Sequence, residues 1–151
     1  DIGASHVPCG RLFLCEHQTP ELVWRTEWRQ HENGATALAA VAVITADVAA
    51  TANAYERIFA THAKEIAEGL LVETGGAPLA IVTDRSLARR LPGVWISARP
   101  APMMVALFIR VADRARAEQR LRRGGLHLTR TPDGSVAVGA AEAHGVALVF
   151  G

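Results

Sequence analysis

The 151-residue chain has few cysteines, little excess of either charge and no long apolar run. Its two cysteines, Cys9 and Cys15, are too few for a disulfide framework, and we expect buried free thiols of a cytoplasmic protein. The net charge of +1 argues against nucleic acid as a partner. The apolar runs at 38–45 and 103–109 are far shorter than the roughly 20 residues that cross a bilayer, so no membrane helix is expected.

Several common chemical motifs are also missing from the chain. It has no glycine-rich phosphate loop, no nucleophile elbow and no Cys-x-x-Cys metal pair, so the chemistry of those motifs is not expected. Half of the residues are apolar, which is ordinary for one compact domain with its own core.

An internal repeat organises the chain. The run Ala40–Asp47 resembles Ala106–Asp113, because both are short apolar runs that end in aspartate. Asp47 and Asp113 are predicted to cap helices, since their carboxylates can accept hydrogen bonds from the unpaired amides of a first helical turn. The second helix is predicted to stop at the glycine pair 124–125.

Three further strands are predicted after each helix. They are 62–68, 70–74 and 79–83 in the first copy, and 126–131, 135–138 and 146–150 in the second. The chain then divides into an N-terminal segment (1–34), a β-α-β-β-β module (35–85), a connector (86–102) and a second β-α-β-β-β module (103–151). The connector is rich in arginine and proline, and it favours one short helical turn around 87–91.

The fold class indicated by this repeat is α+β. Two four-stranded sheets, each with a helix on its outer face, leave apolar inner faces that are buried when the sheets form a curved, half-open barrel. The hollow between them is a natural small-molecule site. The alternative, a ferredoxin-like sandwich, needs a second helix in each unit, and none is predicted.

The paired modules resemble the vicinal oxygen chelate superfamily, which includes glyoxalases, extradiol dioxygenases, epimerases and bleomycin-binding proteins. The stretch 15–24, CEHQTPELVW, followed by Trp28 and by 31–34, is similar to a stretch of its glyoxalase-like bacterial proteins. The resemblance covers nearly the whole chain and implies a lyase, isomerase or dioxygenase relative that forms a homodimer. Because longer members carry a segment before this stretch, we expect residues 1–34 to end a preceding module and the chain to be a fragment.

Metal-using members of the superfamily place a histidine near the start of a unit's first strand and a glutamate near the end of its last strand. The equivalent positions here, 38–41 and 103–105 at the starts and 82–83 and 149–150 at the ends, lack both residue types, and Asp84 is the only nearby carboxylate. The hollow of the repeat therefore lacks the usual ligand set.

His17 and Glu21 are the remaining candidate metal ligands, since imidazole and carboxylate suit Zn, Fe, Mn or Ni. A third ligand has to come from His6, His31, a preceding segment or another subunit. The alternative is structural: His17 satisfies a buried backbone group, and Glu21 caps a helix or pairs with Arg25.

Four side chains of the same region are candidates for substrate binding. Trp24 and Trp28 are spaced to share a helical face, where they either line a ligand pocket or anchor the segment to the core. His31 and Asn33 either orient polar groups of a ligand or belong to a loop that precedes the first module. A basic cluster on the second helix, from Arg114 to Arg123, is interpreted as a solvated helix face.

Three functions remain open at this point. The first is a metal-dependent, glyoxalase-like enzyme acting on a small molecule, and the second is a metal-free domain that binds or sequesters a small molecule in an apolar cup. The third is a structural or dimerisation half of a larger enzyme.

Overall fold

The structure is a computed structural model that describes residue 2 and residues 6–96 and 101–151. The elements, in chain order, are α1 (Pro20–Val23), a 3-10 helix (Thr26–Arg29), β1 (Ala35–Ile44), α2 (Val48–Phe59), β2 (Lys64–Ile66), β3 (Gly69–Val72), β4 (Leu79–Val82), α3 (Asp84–Arg90), β5 (Met103–Val111), α4 (Arg114–Arg123), β6 (Leu128–Arg130), β7 (Val136–Val138) and β8 (Ala147–Phe150). None of the helices in these ranges is long and apolar enough to cross a bilayer.

The strands form one open sheet in the order β2-β3-β4-β1-β5-β8-β7-β6. In each module the first strand pairs in parallel with the last, β1 with β4 and β5 with β8. The two modules meet where β1 runs antiparallel to β5. The predicted α+β class and the curved, half-open barrel of two β-α-β-β-β modules are confirmed.

Equivalent aspartates begin the long helix of each module. The Asp47 side chain accepts a hydrogen bond of 2.9 Å from the amide of Ala50, and the Asp113 side chain accepts one of 3.0 Å from the amide of Arg116. Both N-caps were predicted from the end of the repeated run, and both are confirmed.

One face of the sheet is covered by α2 and α4, and we call it the helix face. Alternate residues of the strands point to it, because successive side chains leave a strand on opposite sides. Tyr55 of α2 packs there against Val43 and Ile81, and Leu121 of α4 packs against Val138. This burial fixes the register of the strands and therefore decides which residues reach the other face.

The opposite, concave face is the cup face, and α3 lies against it. Leu87 and Leu91 are almost fully buried there with Ala42, Ala106 and Val149 of the sheet. The sequence predicted one helical turn around 87–91, whereas the helix begins at Asp84. A capping box starts it early, in which the side chains of Thr83 and Ser86 each accept a hydrogen bond from the other residue's amide.

The N-terminal segment lies outside the sheet. Cys9 is partly buried and its sulfur is 3.2 Å from the Tyr55 hydroxyl oxygen, while Cys15 is exposed. The expectation that both thiols are buried is therefore wrong for Cys15. The reason is that Cys15 lies in none of the helices and strands of the described ranges, and its neighbours Leu14 and Glu16 are exposed as well.

The two tryptophans of this segment do not share a helical face. The helix α1 ends at Val23, and a separate 3-10 helix begins at Thr26, so Trp24 and Trp28 belong to different turns. Their exposed fractions are 60% and 59%, which means that neither anchors the segment in the core. A guanidinium nitrogen of Arg25 lies 3.8 Å from a carboxylate oxygen of Glu27. Arg25 is therefore paired with Glu27, whereas the sequence suggested a pair with Glu21.

Candidate functional site

Arg90, at the end of α3, projects over the cup face. The central carbon of its guanidinium lies 4.4 Å from the centroid of the Phe108 ring, and one guanidinium nitrogen lies 3.6 Å from a carboxylate oxygen of Glu68. About a third of the Arg90 side chain is exposed. The guanidinium is therefore held by an aromatic ring and a carboxylate while part of it still faces solvent.

Two adjoining cavities meet at this guanidinium, and together we call them the cup groove. One, of about 240 Å³, lies over the strands and is lined by Ala39, Phe108 and Val149 among others. The other, of about 450 Å³, lies beside α3 and includes Ser86 in its wall. Arg90 and Asp133 line both cavities, so they stand between the two halves of the groove.

Asp133 is held in its ionised form. Its carboxylate accepts hydrogen bonds from the Thr131 hydroxyl at 2.5 Å and from the Ser135 amide at 3.0 Å. The hydrogen bond from Thr131 is the largest cause of a lowered pKa for Asp133, and the charge of Arg90 adds to it. The carboxylate is consequently an acceptor of hydrogen bonds and a weak base.

The charge of the cup groove is positive. Four arginines, Arg89, Arg90, Arg110 and Arg114, are among the residues that line it, against two acidic residues, Glu68 and Asp133. One nitrogen of Arg114 also donates to the backbone carbonyl of Asp133 at 3.3 Å, which places that guanidinium at the rim. An anion therefore finds a favourable potential in the groove, next to the apolar walls.

The side chains of the cup do not fit a divalent metal centre. Ala39 and Val149, near the positions where metal-using members of the fold carry histidine and glutamate, offer no ligand atom. Across the described parts of the chain, no three histidine, cysteine, aspartate or glutamate side chains are grouped so that they could hold a metal ion. The groove instead has the guanidinium of Arg90 as a cation held between its two cavities.

The predicted metal ligands lie outside the cup, on the N-terminal segment. His17 is exposed, and its ring meets that of Trp24 edge-on with 5.9 Å between centroids. Glu21 is exposed in the first turn of α1. A metal site at these two residues stays a prediction that the described side chains do not complete.

Two of the four predicted substrate-binding residues come together. Trp24 and His31 line a cleft of about 630 Å³ between the N-terminal segment and the first residues of β1, and we call it the junction cleft. Trp28 instead stacks under the Arg25 guanidinium at 5.1 Å. Asn33 accepts a hydrogen bond of 3.1 Å from the Ala35 amide at the start of β1.

The residues that shape the cup groove were missed from the sequence. Arg90 was assigned to the connector, Phe108 to a strand and Asp133 to a turn. A signal was present in the connector, since Leu87 and Leu91 are one helical turn apart and predict a helix with one buried face. Which surface that face covers is not encoded in the spacing.

Two arginines of the basic cluster of α4 form ion pairs. Arg120 forms an ion pair with Glu32, and Glu118 accepts from Arg122 at 2.9 Å and from Arg130 at 2.6 Å. The two arginines lower the pKa of Glu118, and the hydrogen bond from Arg122 contributes most. These contacts support the interpretation of a solvated helix face.

Comparison with known proteins gives matches in structure only. No protein-family model matches the chain, and no curated protein sequence is detectably similar to it. Methylmalonyl-CoA epimerase from Mycobacterium tuberculosis superposes with a TM-score of 0.55 at 20% identity, over 80% of this chain and 90% of that one. A Streptomyces coelicolor methylmalonyl-CoA epimerase in complex with 2-nitronate-propionyl-CoA gives 0.52 at 18%, over 77% and 97%.

A further methylmalonyl-CoA epimerase, in complex with methylmalonyl-CoA and NH4+, gives a TM-score of 0.51 at 18% identity, over 77% of this chain and 94% of that one. These epimerases belong to the superfamily that the repeat resembles. At such identities the likeness establishes architecture. The chain accordingly has the two-module fold of the vicinal oxygen chelate superfamily.

Proposed function

We propose that this chain is a glyoxalase-like small-molecule domain that binds an anionic ligand in the cup groove, with Arg90 as the principal anchor and without a metal ion. The observation that carries the proposal is the guanidinium of Arg90, held over Phe108 at the junction of two cavities. It supplies a fixed positive charge in a hollow whose walls offer no metal ligand set.

The chemistry of the groove suits a carboxylate or phosphate with an apolar part. A guanidinium presents a planar fork of N–H donors that matches two oxygens of such a group. The Phe108 ring below it and the Glu68 carboxylate beside it restrict its orientation, so less side-chain entropy is lost on binding. The apolar walls at Ala39 and Val149 would receive the uncharged part of the ligand.

Binding is better supported than proton transfer. A general base works best with a pKa near the working pH, whereas the pKa of Asp133 is lowered. Asp133 therefore has a positioning role: it holds the turn after β6 through Thr131 and Ser135, and its charge faces Arg90.

Calorimetry and thermal shift with a panel of small carboxylates, phosphates and acyl-CoA esters, all with a chelator present, test this proposal. A ligand should raise the melting temperature with the chelator present, and Arg90→Gln should weaken its binding at least about tenfold, since a charge-assisted bidentate contact is lost. Arg90→Lys should restore part of the loss, and Arg57→Gln, on the exposed side of α2, should change nothing. Binding that needs added metal, or that survives Arg90→Gln, would contradict the proposal.

A second candidate is an isomerase, lyase or dioxygenase relative that acts on a small molecule. It is favoured by the fold shared with methylmalonyl-CoA epimerases, whose complexes contain acyl-CoA ligands. Incubation with acyl-CoA esters in D2O tests it, because an epimerase exchanges the hydrogen next to the thioester carbonyl. Exchange above the rate of a heat-denatured control would favour catalysis over simple binding.

The homodimer and the structural half of a larger enzyme remain proposals about assembly. The two outer strands of the sheet, β2 and β6, are three residues each and leave short open edges on which another sheet could pair. Light scattering at several concentrations tests the dimer, and a single monomeric mass throughout would remove it.

A further inference from the structure

The first half of β1 has a pairing partner on one side only. Residues from Ala35 to Ala40 pair with β5, whereas β4 begins to pair with β1 at Val41. Within the described parts of the chain, no strand pairs with the other edge of 35–40. This edge therefore presents backbone groups that another strand could bind.

The junction cleft borders this half of β1. Four residues in succession, Ala35, Thr36, Ala37 and Leu38, line it. The pairing of β1 with β5 shifts register between Ala35 and Ala37 and between Leu38 and Ala40, so side chains do not alternate strictly here and neighbouring residues of β1 can border one cavity. The last three are exposed, and Leu38 retains 43% of its accessible surface.

The opposite wall of the junction cleft supplies an aromatic ring and positive charge. Trp24, Arg29 and His31 form this wall, and Ile109 adds an apolar contact at the base. None of the described residues that line the cleft carries a carboxylate. The cleft thus combines a backbone edge, an apolar surface and a cation within reach of one ligand.

We propose that the junction cleft binds an extended polypeptide segment as an added strand on β1, and that the segment carries an acidic side chain between apolar ones. A polypeptide has donors and acceptors that repeat at the spacing of the strand edge, which a small ligand lacks. Trp24 packs on the apolar side chains, and the Arg29 guanidinium pairs with the acidic one. This site is separate from the cup groove, which lies on the concave face beside α3.

A capped five-residue peptide of alternating valine and glutamate is the probe for this site. On addition of the peptide to the intact chain, amide hydrogen exchange at 35–38 should slow at least about tenfold, because amides on the edge become hydrogen-bonded. Trp24→Ala should weaken peptide binding about tenfold, since a large ring is removed from the contact. Trp28→Ala is the matched control, because Trp28 is equally exposed, at 59%, and lies outside the cleft.

Two altered peptides separate strand addition from other binding. A version with alternate peptide nitrogens methylated keeps its side chains but loses its backbone donors, and it should bind at least about tenfold more weakly. A version with lysine in place of glutamate should also bind more weakly. In Arg29→Gln the glutamate and lysine peptides should bind with equal affinity, whereas in Arg25→Gln the glutamate peptide should still bind more tightly.

Equal binding of the methylated peptide, or unchanged exchange at 35–38, would overturn the proposal. Self-association that Trp24→Ala abolishes would also overturn it, since a second copy of the chain would then occupy the cleft. Arg90→Gln should leave peptide binding unchanged, so failure here and failure of the ligand site in the cup groove are distinguishable.

Discussion

The guanidinium of Arg90 and the ring of Phe108 join α3, which follows the first module, to β5, the first strand of the second, with 4.4 Å from the guanidinium carbon to the ring centroid. A cation over an aromatic face contributes about 0.5–2 kcal/mol, depending on how dry the contact is. The contact orients the group that we propose as the ligand anchor, and it also holds α3 on the cup face.

Replacing Phe108 by leucine tests both roles. Phe108→Leu keeps an apolar side chain at a buried position but removes the ring face, so the free energy of unfolding should fall by about 1–2 kcal/mol. Ligand affinity should fall several-fold in the same variant. In an Arg90→Met background the Phe108→Leu change should no longer affect ligand binding, and a double-mutant cycle measures this coupling. Full additivity would mean that the ring does not position the guanidinium.

Gly69, at the start of β3, is predicted to tolerate no side chain. A Cβ at this position would overlap the backbone carbonyl oxygen of Ile81 in β4, and backbone cannot move aside cheaply. Gly69→Ala should therefore destabilise the fold by about 3 kcal/mol, measured by urea denaturation. Gly76→Ala is the control, because its Cβ would meet only the Thr74 hydroxyl at 3.8 Å. Equal stability of the two variants would contradict the close approach of β3 to β4.

The two N-caps should contribute similarly to stability. Asp47→Ala and Asp113→Ala each remove one side-chain acceptor from a first helical turn, at 2.9 and 3.0 Å, so each should cost about 1 kcal/mol. Because the caps lie in different modules, their effects should add in the double variant. Asp84→Ala is the comparison, since Thr83 and Ser86 cap that helix, and its effect should be smaller.

The pair His127 and Glu142 should respond to pH. The carboxylate of Glu142, 2.6 Å from Nδ1, raises the pKa of His127, while the pKa of Glu142 is lowered by the same hydrogen bond. The contribution of His127 is present below its unfolded pKa and is lost as pH rises through the raised folded value. The contribution of Glu142 is lost as pH falls through its lowered pKa. The pair therefore stabilises the fold between these two pKa values, in mildly acidic solution.

A proton NMR titration of the His127 ring checks this pair. Its midpoint should lie above that of an unfolded histidine, and Glu142→Gln should bring it down. Glu118→Gln, at a different ion pair, should leave the midpoint unchanged. If the midpoint is the same in Glu142→Gln, the two side chains do not contact each other in solution.

The two thiols should differ in reactivity. Cys15 is exposed, whereas Cys9 is partly buried with its sulfur 3.2 Å from the Tyr55 hydroxyl. A thiol reagent should therefore modify Cys15 about tenfold faster, since the rate depends on access to the sulfur. Mass spectrometry of the partly labelled chain measures the ratio. Equal labelling would mean that residues around Cys9 are not packed on α2.

Local patterns along the chain were enough to predict the module plan. The apolar run that ends in Asp47 and its copy that ends in Asp113 predicted strand, cap and helix, because caps and period-two alternation depend on neighbours in sequence. The turn at 132–134 and the glycine pair at 124–125 also lie where the elements end. These features need no knowledge of the rest of the fold.

The N-terminal segment shows where such reasoning stopped. The spacing of Trp24 and Trp28 fitted one helix, yet α1 ends at Val23 and both rings stay exposed. A short helix of this kind is stabilised chiefly by what it packs on, and propensity alone does not extend it. The position of His31 beside Trp24 in the junction cleft likewise depends on how the segment meets β1.

The sequence by itself determined the repeated β-α-β-β-β order, the helix caps and the absence of metal-ligand residues at the usual positions of the cup, since these are properties of neighbouring residues or of residue identity. Only the tertiary structure decided that α3 lies on the concave face, that Arg90 stands over Phe108 beside Glu68, and that the edge of β1 borders a cleft. Those relationships join residues far apart in the chain, and they are set by which apolar surfaces bury one another when the two modules close.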